Sequence, residues 1–320
     1  MEDKYRDFLR AFWCLSEQDG YPVVLCEFRQ VISQLQGNQR MTQNELNRPF
    51  SILSVDWQGN FSTFDPELLS VASDRYGSFN LGNLKDLQLV MEGAYQPSHP
   101  GALAHLDPPP LTASIAADLI CAGLNNNLLA EELSPGLTDL EQQLCSWFCQ
   151  RLGLPDQSGG VLASGGTLSN LMGLLVARDR LPEQDRQQGV VICSADAHVS
   201  LLKSTRVMGL PADGLQQLPV DDAGCMPPAL LEQALRGLEQ AGRPCIAVAA
   251  TAGTTVRGAV DPLVAMAAVC RRHNVWLHVD AAIGGVFALA ETTAPLMDGI
   301  GLADSITLNP QKLLGITKAS

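Results

Sequence analysis

Between residues 161 and 308 short apolar runs alternate with helical periodicity, and this alternation restricts the fold more than any other feature of the chain. The runs are Val190-Val-Ile-Cys193, Cys245-Ile-Ala-Val-Ala249, Val275 to Val279, and Ser305 to Leu308. Each is too short for a stable helix and mostly apolar, the pattern of a strand buried on both faces. Amphipathic stretches separate them at Thr167 to Arg178, Leu201 to Met208, Pro228 to Gln240 and Pro262 to His273. Such alternation predicts an α/β fold with a mostly parallel sheet and helices on both faces. Ligands of such sheets bind beyond the carboxyl ends of the strands, so the residues after each run are where chemistry should be sought.

Those residues are not ordinary loop residues. Asp280 closes the run from Val275, and a turn at Asn309-Pro310 after the last run delivers Lys312. An acid at one strand end and a lysine past another suit a pyridoxal 5'-phosphate enzyme: the lysine forms the Schiff base, and the carboxylate keeps the pyridine nitrogen protonated. Taken singly, the Asp is equally a helix cap and the Lys a solvated side chain. Three further motifs add weight. Gly159-Gly-Val-Leu-Ala-Ser164-Gly-Gly-Thr167 opens an Ala- and Leu-rich helix, whose first N–H groups and dipole would bind phosphate. Ser194-Ala-Asp-Ala-His198 follows the first strand, where an imidazole can stack on an aromatic ring or simply cap a turn. Thr251-Ala-Gly-Thr-Thr255 ends the second strand, with hydroxyls placed to reach the cofactor ring or the Asp280 carboxylate.

The 320 residues have room for one large α/β domain and an appendage. A net charge of −13 argues against nucleic acid or anionic membrane as partner. Nine cysteines, without a CxxC pair or a His-Cys cluster, indicate neither a zinc site nor a disulfide framework. With no signal peptide at the start they read as reduced thiols of a cytoplasmic protein. No apolar run approaches the roughly 20 residues needed to span a bilayer.

Residues 1–92 differ in character and are expected to form an N-terminal extension, with 93–320 as the cofactor-binding large domain. Tyr5 to Leu15 and Phe28 to Leu35 are helix candidates, and Phe50 to Asp56 is a strand candidate. Leu53-Ser-Val-Asp-Trp-Gln-Gly-Asn-Phe-Ser-Thr-Phe-Asp-Pro-Glu-Leu-Leu69 resembles an internal stretch of radical SAM peptide maturases, although the CxxxCxxC signature of that family is absent. An unrelated helical extension is the alternative. A breaker-rich linker, Pro97 to Pro110, precedes two helices, Leu111 to Leu129 and Leu137 to Leu152. The second would open with a capping box of Thr138 and Glu141.

The ordered set of phosphate loop, His, Thr, Asp and Lys resembles the group II pyridoxal phosphate-dependent amino acid decarboxylases. The likeness runs from about His99 to the end of the chain, and Ser164-Gly-Gly-Thr-Leu-Ser-Asn-Leu-Met-Gly-Leu-Leu175 looks most like the 2,4-diaminobutyrate branch. It implies a large domain like that of aspartate aminotransferase, incomplete at its C-terminus, acting on a small-molecule amino acid substrate, with a homodimer in the intact family member. Residue by residue, Lys312 would hold the cofactor, Asp280 would pair with the ring nitrogen, and His198 would stack on the ring with Ala282 against its other face. Thr255 would support the ring, while Gly165, Gly166, Thr167 and Asn309 would hold the phosphate. Two departures stand out. Gln311 precedes the lysine where the family mostly has His, and the chain ends eight residues after Lys312. The chain therefore reads as a truncated or fused decarboxylase. An aminotransferase or desulfurase relative, and a catalytically dead remnant, are the competing expectations.

Overall fold

The computed structural model describes residues 54–55, 60–62, 80–83, Leu106 and 108–317. The chain divides into two units, Met1–Tyr95 and Gln96–Ser320. In the first, the described residues form an antiparallel sheet in the order β1 (Ser54–Val55), β2 (Asn60–Ser62), β3 (Asn80–Asn83). The helices expected before residue 36, and all but two residues of the strand expected at Phe50 to Asp56, lie outside the described residues.

In the second unit five strands form one parallel sheet: β4 (Val190–Ser194), β5 (Leu215–Leu218), β6 (Cys245–Thr251), β7 (Trp276–Ala281) and β8 (Ser305–Leu308). Their order across the sheet is β5-β4-β6-β7-β8, and every pairing is parallel. The described helices are α1 (Thr112–Leu124), α2 (Pro135–Arg151), α3 (Gly166–Asp179), α4 (Glu183–Arg186), α5 (Ser200–Val207), α6 (Pro228–Gln240) and α7 (Leu263–Arg272).

Successive strand residues point to opposite faces, and two cores result. Val190, Ile192, Val248, Ala250, Leu277 and Val279 pack with Leu231 and Leu235 of α6 and Leu263 and Met266 of α7. Val191, Cys193, Ala247 and Ala249 pack with Leu174 and Ala177 of α3 and Leu201 of α5. All of these side chains are buried, and each large aliphatic one contributes about 1.5–3 kcal/mol. Covering both faces is what makes the strands read as continuous apolar runs rather than as alternating ones.

Four expectations need correction. β5, Leu-Gln-Gln-Leu, was not expected; as an edge strand paired only to β4 and partly exposed, it lacks the apolar run of a central strand. β7 starts at Trp276 and extends through Asp280 to Ala281, because Asp280 is paired on both sides, with Thr251 and with Thr307. The expected helix to Leu129 stops at Leu124, followed by left-handed Asn125. The capping box does not form. Helix α2 starts earlier, with Pro135 in its first turn, so Thr138 lies inside it and its hydroxyl donates to the Ser134 carbonyl at 3.0 Å. Glu141 instead accepts from the Leu162 N–H at 2.7 Å.

Candidate active site

The glycine-rich turn ends at Gly165, with φ +152° and ψ 170°, a backbone region open essentially only to glycine. A β-carbon at Gly165 would meet nothing within 4 Å, so backbone conformation rather than crowding demands glycine there. At Gly166 a β-carbon would come within 3.3 Å of the Ala282 β-carbon, so the turn and the β7 end approach closely. Helix α3 begins here without a side-chain cap, and its first internal bond is from the Ser169 N–H to the Gly165 carbonyl, at 3.1 Å. The preceding N–H groups have no acceptor within the helix, which is the arrangement that binds anions.

Asp280 is buried near the carboxyl end of β7. Its Oδ2 accepts from Asn170 Nδ2 at 2.8 Å and its Oδ1 from the Ala282 N–H at 3.2 Å. The hydroxyls of 251–255, expected as possible partners of this carboxylate, do not supply them. Thr254 Oγ1 accepts from the Ala259 N–H at 3.0 Å, whereas buried Thr251 Oγ1 has no hydrogen-bond partner among the described residues. The β6 end is tied down by Asp261, whose Oδ2 accepts from the Thr251 N–H at 2.8 Å and Oδ1 from the Met226 N–H at 2.7 Å. Burial raises the pKa of the Asp261 carboxyl, and those two N–H donors work against the shift.

A cavity of about 520 Å³ opens at these strand ends. All nine residues singled out from sequence border it: Gly165, Gly166, Thr167, His198, Thr255, Asp280, Ala282, Asn309 and Lys312. Lys312 lies in a short 3-10 turn, Pro310–Lys312, directly after β8. Gln311 borders the cavity too, as do Lys203 and Ser204 of α5, which sequence reasoning did not assign to a site. Asn170 also lines it, and Asn170 is the residue that spacing alone could not single out. It stands one turn into α3, where the sequence shows one polar residue among others, beside Thr167 and Ser169.

A lysine, a buried carboxylate and an open helix N-terminus thus share one cavity. The pyridoxal-dependent decarboxylase conserved domain matches this sequence over residues 84–319, about three quarters of the chain. The chain belongs to that family. Relatives include an L-2,4-diaminobutyrate decarboxylase of Acinetobacter baumannii, 33% identical over 270 residues, which are 77% of this chain and 53% of that protein. Another, of Rhizobium meliloti, is 38% identical over 225 residues, covering 70% of this chain and 45% of the relative. Among solved structures, the glutamate decarboxylase domain of the Vibrio parahaemolyticus diaminobutyrate-pyruvate transaminase and L-2,4-diaminobutyrate decarboxylase is similar with a TM-score of 0.73 and 28% identity. That likeness covers 93% of this chain and 67% of the other. The chain spans about half the length of the curated relatives it matches.

The family match begins at residue 84, inside the segment expected to be a separate extension, and none of these relatives supports the resemblance to radical SAM maturases. The family cofactor is pyridoxal 5'-phosphate, and the residues present fit it. The Gly165 turn leaves space for an anion at an uncapped helix start. Asp280 offers a carboxylate, Lys312 an amine, and the unpartnered Thr251 and Ser204 hydroxyls lie among the cavity residues.

Proposed function

We propose that this chain is the cofactor-binding part of an amino acid decarboxylase, which releases CO₂ from the α-carbon of an L-amino acid. The observation that carries the reading is that Lys312, Asp280 and the uncapped start of α3 border one cavity. Bound there, pyridoxal phosphate supplies an electron-poor ring that takes up the electron pair left behind when the carboxylate departs.

The residues divide the remaining work. Gly165, Gly166, Thr167 and Asn309 would hold the phosphate, with Gly165 allowing the backbone to close around it. Lys312 would attach the cofactor, and Thr255 would support the ring. Asp280 would keep the ring nitrogen protonated. Its own geometry is held by Asn170 and the Ala282 N–H, so little reorganisation is needed when charge develops. Ala282 would flank one ring face and His198 the other. Gln311 can donate and accept hydrogen bonds but carries no titratable proton at neutral pH, so a proton delivered to the α-carbon must come from another group.

The substrate class we favour is a small amino acid, with 2,4-diaminobutyrate first among those to try, since relatives bearing that name match the chain. We take residues 93–320 as the cofactor-binding large domain and place the protein in the cytoplasm. Helix α1 buries none of its residues and exposes Ile115, Leu119, Ile120 and Leu124, which supports a second copy of the chain as partner. No helix among the described residues is long and apolar enough to cross a membrane.

The test pairs two measurements on the chain and on a version extended by a family-like C-terminal region. Visible absorbance after adding pyridoxal phosphate reports cofactor attachment. CO₂ release from 2,4-diaminobutyrate, glutamate, aspartate and aromatic amino acids reports the reaction. Attachment in both, with CO₂ release by the extended form, is expected. Absence of attachment in both would remove the proposal in favour of a dead remnant. Attachment with amino-group transfer but no CO₂ would favour an aminotransferase.

A further inference from the structure

Behind the cavity a chain of polar side chains, buried at Asn170, Ser200 and His278, links Trp276 to Asp280 and to the exposed His198. Trp276 Nε1 donates to Ser305 Oγ at 2.8 Å, and Ser305 Oγ stands 2.8 Å from His278 Nδ1. His278 Nε2 is 3.0 Å from Asn170 Oδ1. Asn170 Nδ2 reaches both Asp280 Oδ2, at 2.8 Å, and Ser200 Oγ, at 2.9 Å. Ser200 in turn contacts His198 Nδ1 through its hydroxyl at 2.8 Å and through its backbone N–H at 3.2 Å. Asn170, Ser200 and His278 are at most 1% exposed.

The direction of every bond in this chain follows from the groups that have no choice. A backbone N–H and an indole N–H only donate, and a carboxylate only accepts. The Ser200 N–H therefore makes His198 Nδ1 an acceptor, which puts the proton of the neutral ring on Nε2. The Asp280 carboxylate orients the Asn170 amide with its nitrogen towards Asp280, leaving Oδ1 to accept from His278 Nε2–H. His278 Nδ1 is then an acceptor for the Ser305 hydroxyl, which itself accepts from Trp276. Asn170 also donates to Ser200, which frees the Ser200 hydroxyl hydrogen for His198. Each of these polar atoms has a partner of the right kind.

We infer that Asn170 is a positioning residue that couples the two cofactor-facing groups, holding the Asp280 carboxylate directly and setting the His198 tautomer through Ser200, with His278 as the clamp on its amide. This rests on the reading that Asp280 and His198 face pyridoxal phosphate. A single amide then decides two things at once: where the negative charge points, and which histidine nitrogen presents hydrogen. His278 would act only through Asn170, never on the cofactor.

The test reads both without relying on turnover. In the cofactor-free 320-residue chain labelled with ¹⁵N-histidine, long-range ¹H–¹⁵N spectra distinguish the two tautomers of each ring. Wild type should show His198 and His278 each protonated at Nε2. Ser200→Ala should give a mixed or shifted His198 signal while leaving His278 unchanged. Asn170→Ala should move both signals and weaken pyridoxal phosphate binding, measured by equilibrium dialysis, by about tenfold, as expected when a buried carboxylate loses a donor. A proton on His198 Nδ1 in wild type would overturn the inference, and so would Asn170→Ala that leaves both tautomers and the affinity as they were. If Asn170→Ala does not fold, the wild-type and Ser200→Ala spectra still decide the His198 arm. If wild type does not bind the cofactor, the functional reading fails by itself, and the tautomers remain readable.

Discussion

Gly173 of α3 lies against the imidazole of His278, so close that a β-carbon at 173 would sit 2.7 Å from both Cε1 and Nδ1 of the ring. The ring cannot turn away, because its two nitrogens are bonded to Ser305 and Asn170. The glycine is there to admit the histidine.

Gly173→Ala should therefore destabilise the fold by about 1–3 kcal/mol, the usual cost of overpacking, although alanine is the better helix former by about 1 kcal/mol. Urea unfolding followed by far-UV circular dichroism measures it. A variant as stable as wild type would mean that the ring has room to move.

Borohydride reduction in the presence of pyridoxal phosphate should label Lys312 and no other lysine, because it follows β8 into the cavity that holds Asp280. Peptide mapping identifies the modified residue. Lys203 is the informative competitor, since it borders the same cavity from α5. A label there would move the attachment point to α5.

Asp280→Asn should keep the fold at a cost of about 1–3 kcal/mol, because one end of the new amide must face a donor where the carboxylate accepted from both Asn170 and Ala282. Decarboxylation by the extended form should fall by roughly 10²–10³-fold, the scale of losing one preorganised electrostatic group. CO₂ release on matched protein concentrations gives the ratio. Wild-type rates would refute the assigned role of the carboxylate.

Stability should fall as pH drops from about 6.5 towards 4, and His278 is one cause. Burial pushes its pKa down to about 4, against the opposing pull of the Asp280 charge. The folded state thus keeps the ring neutral while the unfolded chain takes up a proton below about 6.5. The unfolded state then binds more protons, and the loss is on the order of 3 kcal/mol once pH reaches about 4. His273 works in the other sense. It is bonded to Glu239 at 2.6 Å and Glu232 at 3.0 Å, and both carboxylates raise its pKa. Its contribution is whole below about 6.5 and is lost as pH rises through the raised value. Urea midpoints at pH 5 and pH 8 for wild type, His278→Asn and His273→Ala separate the two. His278→Asn should flatten the acid side. An equally steep acid loss in that variant would contradict the assignment.

Much of the site was legible in the sequence because its residues follow strands, and strand ends can be located from apolar runs. Asp280, Lys312 and His198, which line the cavity, were singled out that way, and the Gly165 turn was singled out by its glycines ahead of a helix. Asn170, Ser200 and His278 were not, since nothing in local spacing tells a polar residue that faces a core partner from one that faces water. Their pairing is tertiary: α3 meets β7 only after the sheet forms, and Gly173 is meaningful only once His278 is opposite it. Leu215-Gln-Gln-Leu218 escaped for the converse reason, being a strand held by β4 on one side with little apolar signal of its own. The Thr251–Thr255 hydroxyls were read as partners of Asp280 from proximity to a strand end, and Asn170 took that place.

The strand order also imposes a timetable on synthesis. Val190 waits for Cys245, Ala247 for Trp276, and His278 for Ser305, so each ladder closes only after a later stretch has been translated. The phosphate turn at Gly165 leaves the ribosome first and Lys312 last, separated by on the order of ten seconds at ordinary elongation rates. For most of that interval the nascent chain carries the glycine turn without the carboxylate, and Asp280 comes only 32 residues ahead of Lys312. If Lys312 attaches the cofactor as proposed, covalent capture would therefore wait until the last of these site residues has been made.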